Sequence, residues 1–316
     1  MKILIVGAGA TGGYFGARLA EAGRDVTFLV RPARAQQLRA SGLSLVSPHG
    51  NLTLAPRLVT APEVTSTYDV VLLAVKAFGL DDGIRDVAPA VGPHTMILPI
   101  LNGMKHLDQL VDRFGSSAIL GGLCRINTTV DALGRIVQLN PLQELWYGER
   151  DGSMTDRIRA LDATLQNPGF EARVTDSIEA RMWDKWTLLA ATGSIVCLLR
   201  GSLGEVARVP GGTEVAHAIV NEVVAVVTAA GHRPTPSFLE DLRSRLGDPR
   251  SEQTTSMYRD LIAGNPIEAD QILGDLVSRA RTLGVPTPLV SATYTQLRVY
   301  QSRAQGETGL RGRPQT

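Results

Sequence analysis

The chain has 316 residues, and its 32 Lys plus Arg against 31 Asp plus Glu leave a net charge of +1. That length suits two domains with ample core, and the even charge balance excludes an electrostatic case for a nucleic-acid or anionic-membrane partner. Cys124 and Cys197 lie far apart in apolar company and read as small buried hydrophobes in a reducing compartment. The five scattered histidines make no metal-ligand spacing. Met1-Lys2 opens a strand directly, which leaves no room for a signal peptide, and the longest uncharged stretch, Trp186 to Leu199, is too short and mixed to span a bilayer. The expected home is the cytoplasm.

Ile3 to Val6 is a short apolar run of the kind buried on both faces of a parallel sheet. It feeds Gly7-Ala8-Gly9-Ala10-Thr11-Gly12, which has G-x-G-x-x-G spacing, and then a helix to about Ala22 that Gly23 stops. In a dinucleotide site the first glycine permits the tight turn, the second lets backbone approach a pyrophosphate, and the third seats the helix on the strand. The helix N-terminus would face that pyrophosphate. The bland alternative is a glycine-rich turn without a ligand. A second strand, 25–30, ends at Arg31, where an NAD site carries an acidic residue for the ribose hydroxyls. A planar guanidinium suits a phosphate, so the expected cofactor is NADP(H), with Arg31 on the 2′-phosphate and Arg34 three residues on.

A short helix is expected over 34–41 and a hairpin over 43–60. Apolar strands at 69–75 and 95–101 end in Lys76 and Asn102, with helices at 80–87 and 104–114. Strands at 118–130, 134–139 and 142–148 are expected to extend the same sheet, partly antiparallel, followed by a helix at 153–166 and a closing strand at 170–174. From residue 175 the pattern is helical. Asp176 and Glu179 suggest a capping box opening a helix to about 199. A Val/Ala-rich helix ends at Gly231 and is compatible with internal core or, less simply, with a homodimer face. Further helices are expected at 236–246, 251–263, 266–283 and 288–302, then a polar, glycine-rich tail over 304–316. The fold class is therefore α/β, a doubly wound, mostly parallel Rossmann domain over 1–174, plus an all-α domain over 175–303.

Ligands of open α/β sheets lie outside the carboxyl ends of the strands. The glycine turn, Arg31, Lys76 and Asn102 all occupy such ends, and together they suit a nicotinamide cofactor and an anionic substrate. In the helical half, Lys185 lies between Trp183 and Trp186. It is either a proton donor, since desolvation disfavours the charged ammonium, or a snorkelling lysine at the edge of an apolar face. Glu268 follows Asn265-Pro266-Ile267, a spacing that by itself favours a capping box with Asn265 at the N-cap.

The ordered set GAGATGG, Arg31, AVKAF, LNGM, MWDKW, SMYRD and NPIEAD resembles the ketopantoate reductases (2-dehydropantoate 2-reductases) over nearly the whole chain. The resemblance implies a Rossmann domain followed by a helical domain like that of 6-phosphogluconate dehydrogenase, and NADPH-dependent reduction of a 2-oxo acid, 2-dehydropantoate, to D-pantoate. It implies Lys185 as general acid and Glu268 as its carboxylate partner. Asn102 and Ser256 would touch cofactor and substrate, with Lys76 near the nicotinamide. The pattern departs where members closest to the pantothenate enzyme carry substrate-binding asparagines: Leu189, Gly193 and Leu203 stand there instead. Leu188, Leu189 and Thr192 share the helical face of Lys185, so the pocket reads as more apolar, and a more apolar 2-oxo acid or ketone is an alternative substrate. A non-catalytic NADPH-binding sensor is the alternative from a different class.

Overall fold

The computed structural model describes residues 1–311, with side chains to residue 303. The chain divides into two compact units: Met1–Asn102 with His106–Met182, and Gly103–Lys105 with the chain from Trp183 onward.

The first unit opens with β1 (Lys2–Val6), α1 (Ala10–Glu21), β2 (Asp25–Leu29) and α2 (Pro32–Ser41). With β5 (Arg57–Val59), β6 (Val70–Leu73) and β7 (Met96–Pro99) they build a parallel sheet in the order β5-β2-β1-β6-β7. The chain winds outward from β1 to β5 on one side and returns to β6 and β7 on the other. The switch in direction thus falls between β1 and β6, where open α/β sheets form their ligand crevice. Both sheet faces are covered, so β6 and β7 are buried at every position. α3 (Leu80–Val87) and α4 (Lys105–Phe114) follow β6 and β7.

The strands after α4 do not extend this sheet as expected. β8 (Gly121–Val130), β9 (Ile136–Gly148) and β10 (Glu171–Val174) join β3 (Leu43–Val46) and β4 (Leu52–Leu54) in a second sheet, ordered β10-β9-β3-β4 with β8 on β9. The chain pairs with β7 through an isolated parallel bridge between Ile97 and Ile119, and Gly122 of β8 packs beside Leu98 and Pro99 without joining the ladder. Pro99 ends β7 and has no N–H to continue a ladder. The segment expected as two strands over 134–148 is one long strand. The two sheets share one buried core, which contains Phe15, Phe28, Leu43, Leu45 and Tyr147. α5 (Asp156–Thr164) is anchored at its start by the buried Glu149, which accepts hydrogen bonds from Thr155 Oγ1 and from Arg157 Nε at 2.7 Å.

The second unit is helical: α6 (Ile178–Leu199), α7 (Leu203–Ala207), α8 (Gly212–Ala229), α9 (Pro236–Leu246), α10 (Ser256–Ile262), a π-helical segment (Asp270–Gly274), α11 (Asp275–Leu283) and α12 (Pro288–Arg311). The division between units falls inside α6 rather than at residue 175. Ile178, in the first turn of α6, is fully buried against the positions of Gly121 and Gly148 of the first unit. Asp176 and Glu179 form no capping box. Ser177 is the cap residue, its carbonyl accepting from Arg181 N at 3.2 Å, and Glu179 instead lies 3.4 Å from Arg150. α8 buries the stripe Ala216, Ile219, Val220, Val223, Val226 and Val227 within the chain, as expected for core. α12 continues to Arg311 where a tail was expected from 304. The polar residues there are compatible with helix, and each glycine costs only about 1 kcal/mol. Residues 312–316 lie outside the described residues.

Candidate active site

In the first unit the glycine turn sits at the carboxyl end of β1. Gly7 has φ +97°, the left-handed region that glycine enters without strain. A Cβ on Gly12 would overlap the Gly7 carbonyl oxygen and come within 2.8 Å of Ala74 Cβ, so only glycine lets α1 sit this close to β1 and β6. At Gly9 the opposite holds: a Cβ there meets nothing within 4 Å. Gly9 is the N-cap of α1, makes no side-chain cap, and no acid stands in the first turn, so Ala10, Thr11 and Gly12 open a helix suited to an anion. These features fit a dinucleotide pyrophosphate.

Arg31 follows β2 as the N-cap of α2, and its exposed guanidinium donates to Asp82 Oδ2 at 2.9 Å. Asp82, in the first turn of α3, also holds Arg85 at 2.9 Å. Arg34, half-buried one turn into α2, donates from Nε to the Ala8 carbonyl at 3.2 Å and reaches Gly134 O at 3.3 Å. It thereby ties the glycine turn to the tip of the β8–β9 hairpin. Lys76 is exposed beyond β6, with Nζ 6.0 Å from the Phe78 ring centroid, and Asn102 is half-buried beyond β7. The structure thus brings the glycine turn, Arg31 and Arg34 together. Asp82 is an addition to the expected set, and Arg34, noted three residues beyond Arg31, gains a partner in the glycine turn itself. Asp82 left no local sequence signal, because its partner Arg31 lies 51 residues away.

In the second unit Lys185 is half-buried on α6 between the buried Trp183 and Trp186. The two indole centroids are 5.2 Å apart, and His232 stacks on Trp183 at 3.9 Å. Glu268 is half-buried and is not at N3 of a helix. Its carbonyl accepts from Ile272 N at 3.1 Å, which places Glu268 itself at the cap position. Asn265 is not an N-cap: its N–H donates to Asp260 O at 2.8 Å and its carbonyl accepts from Tyr300. The Asn265–Glu268 capping box read from spacing is therefore absent, and that competing use of the Glu268 carboxylate falls away.

Leu189, one turn beyond Lys185, is half-buried. Thr192 is buried and donates its hydroxyl hydrogen to the Leu188 carbonyl at 2.7 Å, leaving only acceptor capacity. Beside Gly193 the Met257 methyl lies 3.0 Å from where a Cβ would stand. Ser256 is exposed at the start of α10, next to Met257, and Leu203 is buried. Lys185, Leu189 and Gly193 share a face of α6, and Met257 reaches the end of it. Met257 was not singled out although it stands next to Ser256 in the SMYRD stretch, because its approach to Gly193 is a contact between residues 64 positions apart.

The family "Ketopantoate reductase PanE/ApbA" matches residues 3–152, and its C-terminal family matches residues 177–301. The chain belongs to the ketopantoate reductase family. Among its relatives is "Uncharacterized oxidoreductase YkpB" of Bacillus subtilis, 35% identical, with 96% of this chain and 99% of that protein aligned. The 2-dehydropantoate 2-reductase of Mesorhizobium japonicum is 29% identical over 94% of this chain and 97% of that protein. The crystal structure of 2-dehydropantoate 2-reductase from Geobacter metallireducens superposes with a TM-score of 0.83 at 28% identity, covering 94% of this chain and 99% of that one. This ketopantoate reductase family member is an oxidoreductase, with the parallel α/β first unit and helical second unit of its relatives.

Proposed function

We propose that the chain reduces a 2-oxo acid to the 2-hydroxy acid with NADPH, with 2-dehydropantoate as the reference substrate. The observation that carries this reading is Lys185, half-buried between two buried tryptophans, in the same unit as a Glu268 that is not part of a capping box. The bound nicotinamide would supply the hydride that reaches the carbonyl carbon. The glycine turn and the first turn of α1 would hold the pyrophosphate, and Arg31 the 2′-phosphate. Lys185 Nζ would donate a proton to the carbonyl oxygen as negative charge develops there. Glu268 would orient the ammonium or a substrate hydroxyl, with Asn102 and Ser256 as further polar contacts and Lys76 beside the nicotinamide.

Met257 favours a second reading of the substrate. The position that the resemblance assigns to a substrate-binding asparagine is Gly193, where a methyl group stands 3.0 Å from the missing Cβ. Leu189 offers no hydrogen bond either, and a buried unpaired hydroxyl costs roughly 1–3 kcal/mol. An apolar 2-oxo acid without a 4-hydroxyl suits this lining better. NADPH oxidation with a panel of 2-oxo acids that includes 2-dehydropantoate tests both readings. Turnover of any member supports the reductase, the ranking separates the substrates, and no turnover across the panel would refute the reading.

A further inference from the structure

Glu268 belongs to a segment with no regular hydrogen-bond ladder before it, yet its carboxylate must be aimed if it is to serve Lys185. The segment is held from two helices. From α6, Trp186 Nε1 donates to the Ile272 carbonyl at 3.0 Å, and Ile272 N in turn donates to the Glu268 carbonyl at 3.1 Å. From α12, Tyr294 and Arg298 grip Asp270 at 2.6 and 2.8 Å, and Tyr300 and Gln301 donate to the carbonyls of Asn265 and Ile267 at 2.8 and 3.2 Å.

Trp186 is the member of this set that is covalently next to Lys185. Its side chain is fully buried, and its ring is fixed by Trp183 on one side and by the Arg279 guanidinium 5.7 Å from its centroid on another. Arg279 is itself held by Asp275 at 3.1 Å. The indole N–H is therefore directed and desolvated, the condition in which a hydrogen bond constrains position most strongly. Its acceptor lies in the π-helical stretch Asp270–Gly274, a local widening of the kind that recurs at functional sites.

We infer that Trp186 is a positioning residue: through Ile272 it sets where the Glu268 backbone, and so its carboxylate, stands relative to Lys185, the residue before it on α6. This rests on the reductase reading, in which Lys185 and Glu268 act on the substrate.

The test is a double-mutant cycle of Trp186→Phe and Glu268→Gln, with kcat and the NADPH Kd measured for each variant. Phenylalanine keeps an aromatic ring and removes the N–H. Trp186→Phe is expected to lower kcat about tenfold, with the NADPH Kd changed less than twofold. The double variant is expected to match Glu268→Gln within about twofold, because a residue that acts through Glu268 has nothing left to position. Amide exchange over 265–272 is expected to quicken in Trp186→Phe. Losses that multiply, an unchanged kcat, or unchanged exchange would each overturn the inference. If Trp186→Phe does not fold, Trp186→Met, which also removes the N–H donated to Ile272, runs the same cycle against the same criteria. Absence of turnover by the unsubstituted protein would overturn the reductase reading first, and is seen before any variant is made.

Discussion

In the proposed reading Arg31 holds a 2′-phosphate, but its guanidinium is already engaged by Asp82, so the balance between these partners is expected to set cofactor preference. A charge-assisted contact to phosphate is worth roughly 1.5–3 kcal/mol, so Arg31→Ala is expected to weaken NADPH about ten- to a hundredfold and NADH little. The competing ion pair is 2.9 Å long with side chains 69% and 46% exposed. Pairs so exposed contribute about 0–1 kcal/mol. Asp82→Asn also removes a carboxylate that would repel an incoming phosphate. It is therefore expected to tighten NADPH up to about fivefold, to leave NADH nearly unchanged, and to lose its effect as salt screens exposed charges. Titration of both cofactors into the unsubstituted protein and the two variants, at low and physiological salt, decides this. An unsubstituted protein that prefers NADH, or an Arg31→Ala variant that loses both cofactors equally, refutes the assignment of Arg31. An Asp82→Asn variant with unaltered NADPH affinity refutes the competition.

Lys185→Ala is expected to lower kcat about 10²–10⁴-fold, the usual range for a general acid, with NADPH Kd little changed because the expected cofactor residues lie in the first unit. A near-normal kcat on the best substrate would leave Lys185 as a snorkelling side chain. Leu189→Asn is expected to raise kcat/KM on 2-dehydropantoate, relative to a 2-oxo acid lacking the 4-hydroxyl, by about tenfold, the scale of one buried hydrogen-bond partner. No shift in that ratio would mean that Leu189 does not line the pocket. The Glu149 carboxyl is held below its ordinary pKa by Arg157 and Thr155. A depressed folded-state pKa adds stability above the unfolded value, near 4.3, that is lost as pH falls through the folded value. Glu149→Gln is thus expected to lower Tm at pH 7 and to narrow the gap as the pH drops below about 4. A Tm difference that persists unchanged into acid would contradict this.

Features written in local spacing were legible from the chain. α3 and α9 begin and end where they were expected, at 80–87 and 236–246. The glycine turn has the backbone and space that its spacing called for. Features that depend on distant partners were not legible. The second sheet rests on pairing Leu45 with Ile136, a register that neither strand announces. The bond from Trp186 spans 86 residues. Local spacing misled at Asn265, where a good N-cap residue before proline is pulled out of that role by Asp260 and Tyr300. Of the expected site, residue types at strand ends were readable, but the counter-ion Asp82 and the methyl of Met257 were not.

Between β2 and β5, neighbours in the first sheet, the chain leaves to lay down β3 and β4 in the second. The nucleotide-binding half is therefore not a module that ends where its own sheet ends. A fragment stopping after α4 contains every strand of the first sheet, yet lacks β8 and β9. Leu43 and Leu45, each 1% exposed in the whole chain, would lose the strand that β3 pairs with. Such a fragment would carry an open edge and uncovered apolar side chains, the combination that drives strand-to-strand aggregation. Anyone wishing to isolate or transplant the cofactor site must carry the second sheet with it. For the same reason, during folding the hairpin at 43–54 waits for a partner some ninety residues downstream, so closure of the first unit depends on long-range pairing and is expected to be slow.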